Sequence, residues 1–172
     1  MKQYSVDKMR NISLLGHGSC GKTTLTAAFL YDAGVTNRLT SVDKGNTITD
    51  YDPDEIERKI SINSAVCYLD WQDNKINIVD SPGYTNFLWD ARAGLRAVDA
   101  GILMISAASG VEVGTEKSWG MMEELNLPLI FAINKIDREN TSFIQSVEGI
   151  QEFFGREAVP VQIPIGEENN FK

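Results

Sequence analysis

Gly16-His17-Gly18-Ser19-Cys20-Gly21-Lys22-Thr23 fills every fixed position of the phosphate-binding pattern G-x-x-x-x-G-K-[ST]. It follows an apolar run (Ile12, Leu14, Leu15) and opens a helical pattern with Leu25, Ala28 and Phe29 on one face. A strand feeding a glycine-rich turn into a helix N-terminus aims several backbone N–H groups at one point, where the helix dipole also favours negative charge. The glycines let the chain curl around a phosphate. Lys22 brings a cation to the β- and γ-phosphates, and the Thr23 hydroxyl is placed for Mg2+. A chance glycine-rich turn would need neither flank, and both are present.

Working outward, apolar runs alternate with helical patterns, as repeated βα units require. Strands are expected near 10–15, 62–71, 75–80, 100–106, 128–134 and 159–163, and helices near 22–33, 86–98, 114–126 and 141–154. Phe87, Ala91, Leu95 and Val98 mark one face of the second helix, and Phe143, Val147, Ile150 and Phe154 one face of the last. Gln72-Asp73-Asn74 is a short polar turn and predicts one antiparallel hairpin. The remaining crossovers contain helices. The fold class is therefore α/β, a mostly parallel sheet with one antiparallel hairpin strand and helices on both faces. Residues 35–60 are polar and lack an apolar period, which predicts a structureless, mobile segment that senses nucleotide. Its acidic run, Asp50 to Glu57, reads as a solvated face.

At 172 residues, 42% hydrophobic and 23% charged, the chain fits one domain with a sizeable core. No apolar run is long enough to span a bilayer, and Met1 to Arg10 lacks the apolar core of a secretory signal. These absences lead to the expectation of a cytoplasmic protein without a membrane partner. A formal net charge of −8 argues against non-specific DNA or RNA binding. The two cysteines, Cys20 and Cys67, suggest no disulfide framework. Cys20 at a helix N-terminus could be reactive, but a residue small enough for the loop is the preferred reading. No cysteine or histidine pair has zinc-ligand spacing.

Two further motifs follow in order. Asp80-Ser81-Pro82-Gly83 ends the run Ile76-Asn77-Ile78-Val79. A carboxylate there can hold Mg2+ through its water shell, beside a turn whose Gly83 N–H can face the γ-phosphate. Asn134-Lys135-Ile136-Asp137 follows Leu129–Ile133. The Asp137 carboxylate can accept both N–H groups of guanine's Watson–Crick edge, which adenine does not supply. Asn134 can bond the base's other edge and the phosphate loop, and the Lys135 stem can lie over the base. The three motifs together specify GTP.

These residues resemble the GTPase domain of the translational GTPases, a P-loop NTPase domain, and within it the elongation factor G group. The likeness runs from Arg10 to about Gly166. It includes Arg10-Asn11-Ile12, Gly16-His17, Lys22-Thr23-Thr24, Glu57-Arg58-Lys59-Ile60-Ser61-Ile62, Asp80-Ser81-Pro82-Gly83-Tyr84, Gly110-Val111-Glu112 and Val161-Gln162-Ile163-Pro164-Ile165-Gly166. The resemblance implies a switch I-like segment over 35–60 and a switch II-like segment over 80–90. It implies that Thr24 closes the phosphate loop and that Ser61 stands where the family's threonine closes over Mg2+. It also implies the ribosome as the partner, with the chain acting as a monomer.

Four positions depart from the family pattern. Tyr84 replaces the histidine that positions the attacking water, and a phenol can orient water but is a poor base. Ser19 replaces an aspartate implicated in binding a monovalent cation. Gly18 replaces an apolar gate residue, although Ile60 keeps the opposing one, and Ser61 replaces threonine. The combination is similar to divergent bacterial elongation factor G paralogues. The tetracycline-resistance ribosomal-protection proteins are similar near Ser41-Val42-Asp43-Lys44-Gly45 but keep histidine and aspartate. The family's guanine-contacting S-A-x motif lies beyond an inserted subdomain, expected to begin near 164–172. Ser64-Ala65 and Ser106-Ala107 do not stand in its place, so the chain is expected to be an N-terminal piece of a longer factor, one base-pocket wall missing.

The expected catalytic residues are thus Lys22, Gly83 and Tyr84, and the expected metal residues Thr23, Ser61 and Asp80. Slow intrinsic GTP hydrolysis stimulated by the ribosome is the leading reading. A GTP-dependent switch with little hydrolysis and an ATP-using enzyme are the alternatives. His17 reads as structural or near the phosphates. Trp71, Trp89, Trp119, Met121 and Met122 read as packing residues.

Overall fold

The computed structural model describes residues 3–166 and 168–171. Among the described residues five strands form one sheet, in the spatial order β2 (Ala65–Trp71), β3 (Asn74–Asp80), β1 (Met9–Gly16), β4 (Ala100–Ser106) and β5 (Leu129–Asn134). β1 lies at the centre, parallel to β3 and β4, and β5 is parallel to β4. Only β2 runs antiparallel, paired with β3. Trp71 faces Asn74 across the hairpin, so the turn is the two residues Gln72 and Asp73, at φ 45° and 61°. Two positive φ values give the turn whose twist matches the flanking strands. The three-residue turn read from the sequence is one residue too long.

A central strand must bury both faces, and β1 does so through adjacent leucines. Leu14 packs with Ile78, Met104 and Leu30 of α1 (Lys22–Asp32). Leu15 packs on the other side with Val79, Leu103, Leu95 of α3 (Leu88–Leu95) and Met122 of α4 (Val113–Glu124). Both leucines are fully buried, worth about 1.5–3 kcal/mol each. α1 turns Thr26, Ala27 and Leu30 inward, while Leu25 and Phe29 are only partly covered. α5 (Phe143–Phe154) brings Phe154 against Phe131 and Trp119.

Four expectations fail. Residues 159–163 form no strand, and Val161 and Ile163 are 90% and 77% exposed. Pro160 and Pro164 offer no ladder donor, and β5 remains the sheet edge. The segment 35–60 is not structureless: it holds a 3-10 turn at Val42–Lys44 and the helix α2 (Pro53–Arg58). Its signal is local, because Asp52 caps the helix, Pro53 opens it and Glu55 reaches back to the Asp52 N–H. Trp71 and Trp89 are exposed, one ending an edge strand and the other on the outer face of α3, so only Trp119 packs inside. The acidic run is partly interior, with Asp50 and Glu55 buried.

Candidate functional site

The sheet places Gly16, Asp80, Ser106 and Asn134 at the C-terminal ends of its four parallel strands. In such sheets ligands bind beyond those ends, where the strand order reverses. Here the order reverses at β1, and the glycine-rich loop leaves β1 there.

The loop is held from inside and from outside. The Lys22 ammonium is buried and donates to the Gly16 and His17 carbonyls at 3.1 and 2.8 Å, with the Cys20 sulfur at 3.8 Å. It therefore sits at the centre of the curl. Across the loop, Asn134 donates its amide to the Cys20 carbonyl at 2.9 Å and Lys135 its ammonium to the Ser19 carbonyl at 2.7 Å. Gly21 permits this approach: its φ is 108°, and a methyl group there would collide with Asn134 Nδ2. His17 ties the loop to the start of α4, accepting the Gly114 N–H at 3.3 Å and lying 3.5 Å from Glu112. Cys20 is buried, and burial pushes its thiol upward, which suits the small loop residue and not a reactive one. Thr24 lies exposed on the first turn of α1.

Asp137 is exposed and lines an open cleft of about 690 Å³ together with Ser106, Ala108, Lys135, Arg138 and Asn169. The neighbouring turn at Glu168–Asn170 is fastened to the same loop, since Glu168 N–H bonds the Ile136 carbonyl and Asn140 N–H bonds the Glu168 carboxylate. Ser106 thus stands beside Asp137, a placement that the sequence order of the motifs did not suggest.

The three expected metal residues also converge. Thr23 Oγ1 and Ser61 Oγ are 3.0 Å apart, Ser61 donates to Asp50 at 2.8 Å, and Thr49 donates to Asp80 at 2.7 Å. Asp80 Oδ1 and Asp50 Oδ2 are buried without a hydrogen-bond partner. Burial pushes the Asp80 carboxyl up to about 6, a rise that the Thr49 hydroxyl and Lys22 only partly offset and that Asp50 reinforces. Burial raises Asp50 as well, with Ser61 opposing and Glu55 adding to the rise. Two carboxylates and three hydroxyls form a set of hard oxygens. Asp50 and Thr49 escaped sequence reading because nothing in the composition separates them from exposed Asp54 and Glu57. Glu55 closes the segment: it accepts the Ile62 and Asn63 N–H groups at 2.9 and 3.0 Å and the Asp52 N–H at 3.2 Å.

Gly83 and Tyr84 lie on the loop itself. A methyl group on Gly83 would collide with Lys22 Nζ and fall 2.7 Å from the Gly16 oxygen. One on Gly18 would fall 2.8 Å from the Tyr84 ring. The Tyr84 hydroxyl is 3.2 Å from Ser19 Oγ.

Residues 7–168 match the elongation factor Tu GTP binding domain family. The chain is 40% identical over 164 residues to elongation factor G 2 of Borreliella afzelii, covering 95% of this chain and 24% of that protein. It is 38% identical over 164 residues to the mitochondrial ribosome-releasing factor 2 of Scheffersomyces stipitis, covering 95% and 19%. The crystal structure of ttk003000868 from Thermus thermophilus superimposes with a TM-score of 0.89 at 33% identity, covering 94% of this chain and 24% of that one. The chain thus spans about a quarter or less of these relatives. Among the described residues no helix is long and apolar enough to cross a membrane. With the fold, the loop and the match over nearly the whole length in agreement, the chain belongs to the elongation factor Tu GTP binding domain family.

Proposed function

We propose that this chain binds GTP and hydrolyses it to GDP and phosphate, as the nucleotide-binding part of an elongation factor G-like protein that works on the ribosome. The observation that carries the reading is the pair of bonds from Asn134 and Lys135 to the Cys20 and Ser19 carbonyls. They join the base-reading segment to the phosphate loop, so a nucleotide with its phosphates in the loop has its base beside Asp137.

The N–H groups of residues 18–23 face the phosphates, and Lys22 neutralises charge on the β- and γ-phosphates. Thr23, Ser61 and Asp80 fit Mg2+, because Asp80 Oδ1 is a buried oxygen without a partner and the neighbouring donors are all hard oxygens. Bound there, the ion would offset negative charge on the phosphate oxygens. Asp50 supports the same site through Ser61. The Gly83 N–H is the group positioned toward the γ-phosphate, and Tyr84 orients the attacking water. A phenol accepts a proton poorly, so hydrolysis by this chain alone is slow and the ribosome accelerates it. Tyr84 with Gly18 and Ser19 supports placement among the divergent elongation factor G paralogues.

Turnover of radiolabelled GTP by the chain, with unlabelled ATP as competitor, tests this. Slow Mg2+-dependent release of phosphate, unaffected by excess ATP, is expected. Equal competition by ATP contradicts it.

A further inference from the structure

Two consecutive residues of the segment between α1 and β2 reach two of the three proposed cation residues. Thr49 donates its hydroxyl to Asp80 Oδ2 at 2.7 Å, and Asp50 accepts the Ser61 hydroxyl at 2.8 Å. Ser61 Oγ in turn lies 3.0 Å from Thr23 Oγ1. Thr49, Asp50 and Asp80 are 4%, 4% and 1% exposed, so bulk water does not compete for these contacts.

The Thr49 bond gives the two oxygens of Asp80 different tasks. Oδ2 is occupied by a neutral donor, while Oδ1 is buried without a hydrogen-bond partner. A buried acceptor left bare is costly, and a hard divalent cation is the partner that a carboxylate oxygen suits. A hydroxyl fixed on one oxygen also fixes the plane of the carboxylate, and bonds of this kind orient metal-binding carboxylates. Both partners belong to the chain, so the bond needs no phosphate. Burial of a threonine in this segment does not by itself produce such a contact. The Thr47 hydroxyl, two residues earlier, is buried and has no hydrogen-bond partner.

We propose that Thr49 is a positioning residue for the cation site. Its hydroxyl holds the Asp80 carboxylate with Oδ1 free for the ion. The same bond anchors the segment between α1 and β2 on the end of β3, whether or not nucleotide is bound. The proposal rests on the reading of Thr23, Ser61 and Asp80 as a Mg2+ site beside a guanine nucleotide. Ion and segment are thereby coupled, and by linkage whatever opens the segment at Thr49 weakens the ion.

Two measurements on the intact chain test this. Thr49→Val removes the hydroxyl at nearly constant shape, Thr49→Ser keeps it, and Thr47→Val is the control. Mn2+ is titrated in place of Mg2+ onto the GDP-bound chain, with free Mn2+ read by electron paramagnetic resonance. Thr49→Val is expected to weaken Mn2+ binding about ten- to a hundredfold, with Thr49→Ser and Thr47→Val within about twofold of the wild type. Wild-type affinity in Thr49→Val, or equal losses in all three variants, overturns the positioning role. The nucleotide-free chain is then cut with trypsin, which acts at the exposed Lys44, Arg58 and Lys59 of the segment. Cutting of Thr49→Val is expected to be at least about twofold faster than that of the wild type and Thr49→Ser, because cleavage follows the opened population. Equal rates overturn the nucleotide-independent anchor. A wild type that binds GDP but no Mn2+ overturns the cation reading. One that binds no GDP overturns the guanine nucleotide reading and with it the role toward the ion, while the trypsin rates still decide the anchor.

Discussion

Thr49 donates its hydroxyl to Asp80 across 2.7 Å, joining the segment between α1 and β2 to the end of β3. The bond satisfies one carboxylate oxygen and leaves Oδ1 buried and bare. A negative charge is thereby kept in the interior, at the place where the proposed cation would compensate it.

This arrangement makes the stability of the metal-free chain depend on pH. Asp80 titrates near 6 in the folded protein, against an ordinary 3.8. Between those values the folded state binds more protons than the unfolded state, so stability falls as pH rises through that window and stays low above it. Asp80→Asn should therefore raise the stability of the nucleotide-free protein at pH 7.5 by at most about 3 kcal/mol and flatten its pH dependence between about 4 and 6. Urea denaturation across that range measures both. The same substitution should abolish any stabilisation by Mg2+ and GTP together.

Glu55 provides a second test. Its carboxylate accepts three backbone N–H groups from Asp52, Ile62 and Asn63. Glu55→Ala leaves these donors unpaired and should cost about 3 kcal/mol. Glu55→Gln keeps an acceptor oxygen and should cost less than half of that. Hydrogen exchange should show lost protection at Ile62 and Asn63, with the centre of β1 unchanged.

The sequence declared its strongest features through backbone chemistry. The loop from Gly16 to Thr23 and the turn from Asn134 to Asp137 were legible because each residue type there answers to a local demand, and the structure bonds the two segments together. Burial across the fold was harder to read. Asp50 and Glu55 sit in an acidic run that resembles a solvated face, and only the closure of the segment onto Ser61, Ile62 and Asn63 takes them inside. Val161 and Ile163 show the converse. Their alternation looks like a strand, but the flanking prolines cannot supply its ladder.

Gly21→Ala should separate loop geometry from overall packing. The residue needs a φ of 108°, and its methyl group would strike Asn134 Nδ2. A loss of about 2 kcal/mol or more in stability is expected, with guanine nucleotide binding reduced at least about tenfold, since 1.4 kcal/mol of lost binding already gives that factor. Thermal denaturation and nucleotide titration on the same preparation check the pair.

The central claim is that Asp137 reads guanine in the cleft that it lines with Ser106 and Lys135. The direct measurement compares binding of GTP, ATP and XTP by the wild type and by Asp137→Asn. An amide in place of the carboxylate exchanges one acceptor for a donor, which matches the extra carbonyl of xanthine. The wild type is expected to prefer GTP, and Asp137→Asn to lose GTP and gain XTP. An unchanged preference for GTP in the variant would contradict it.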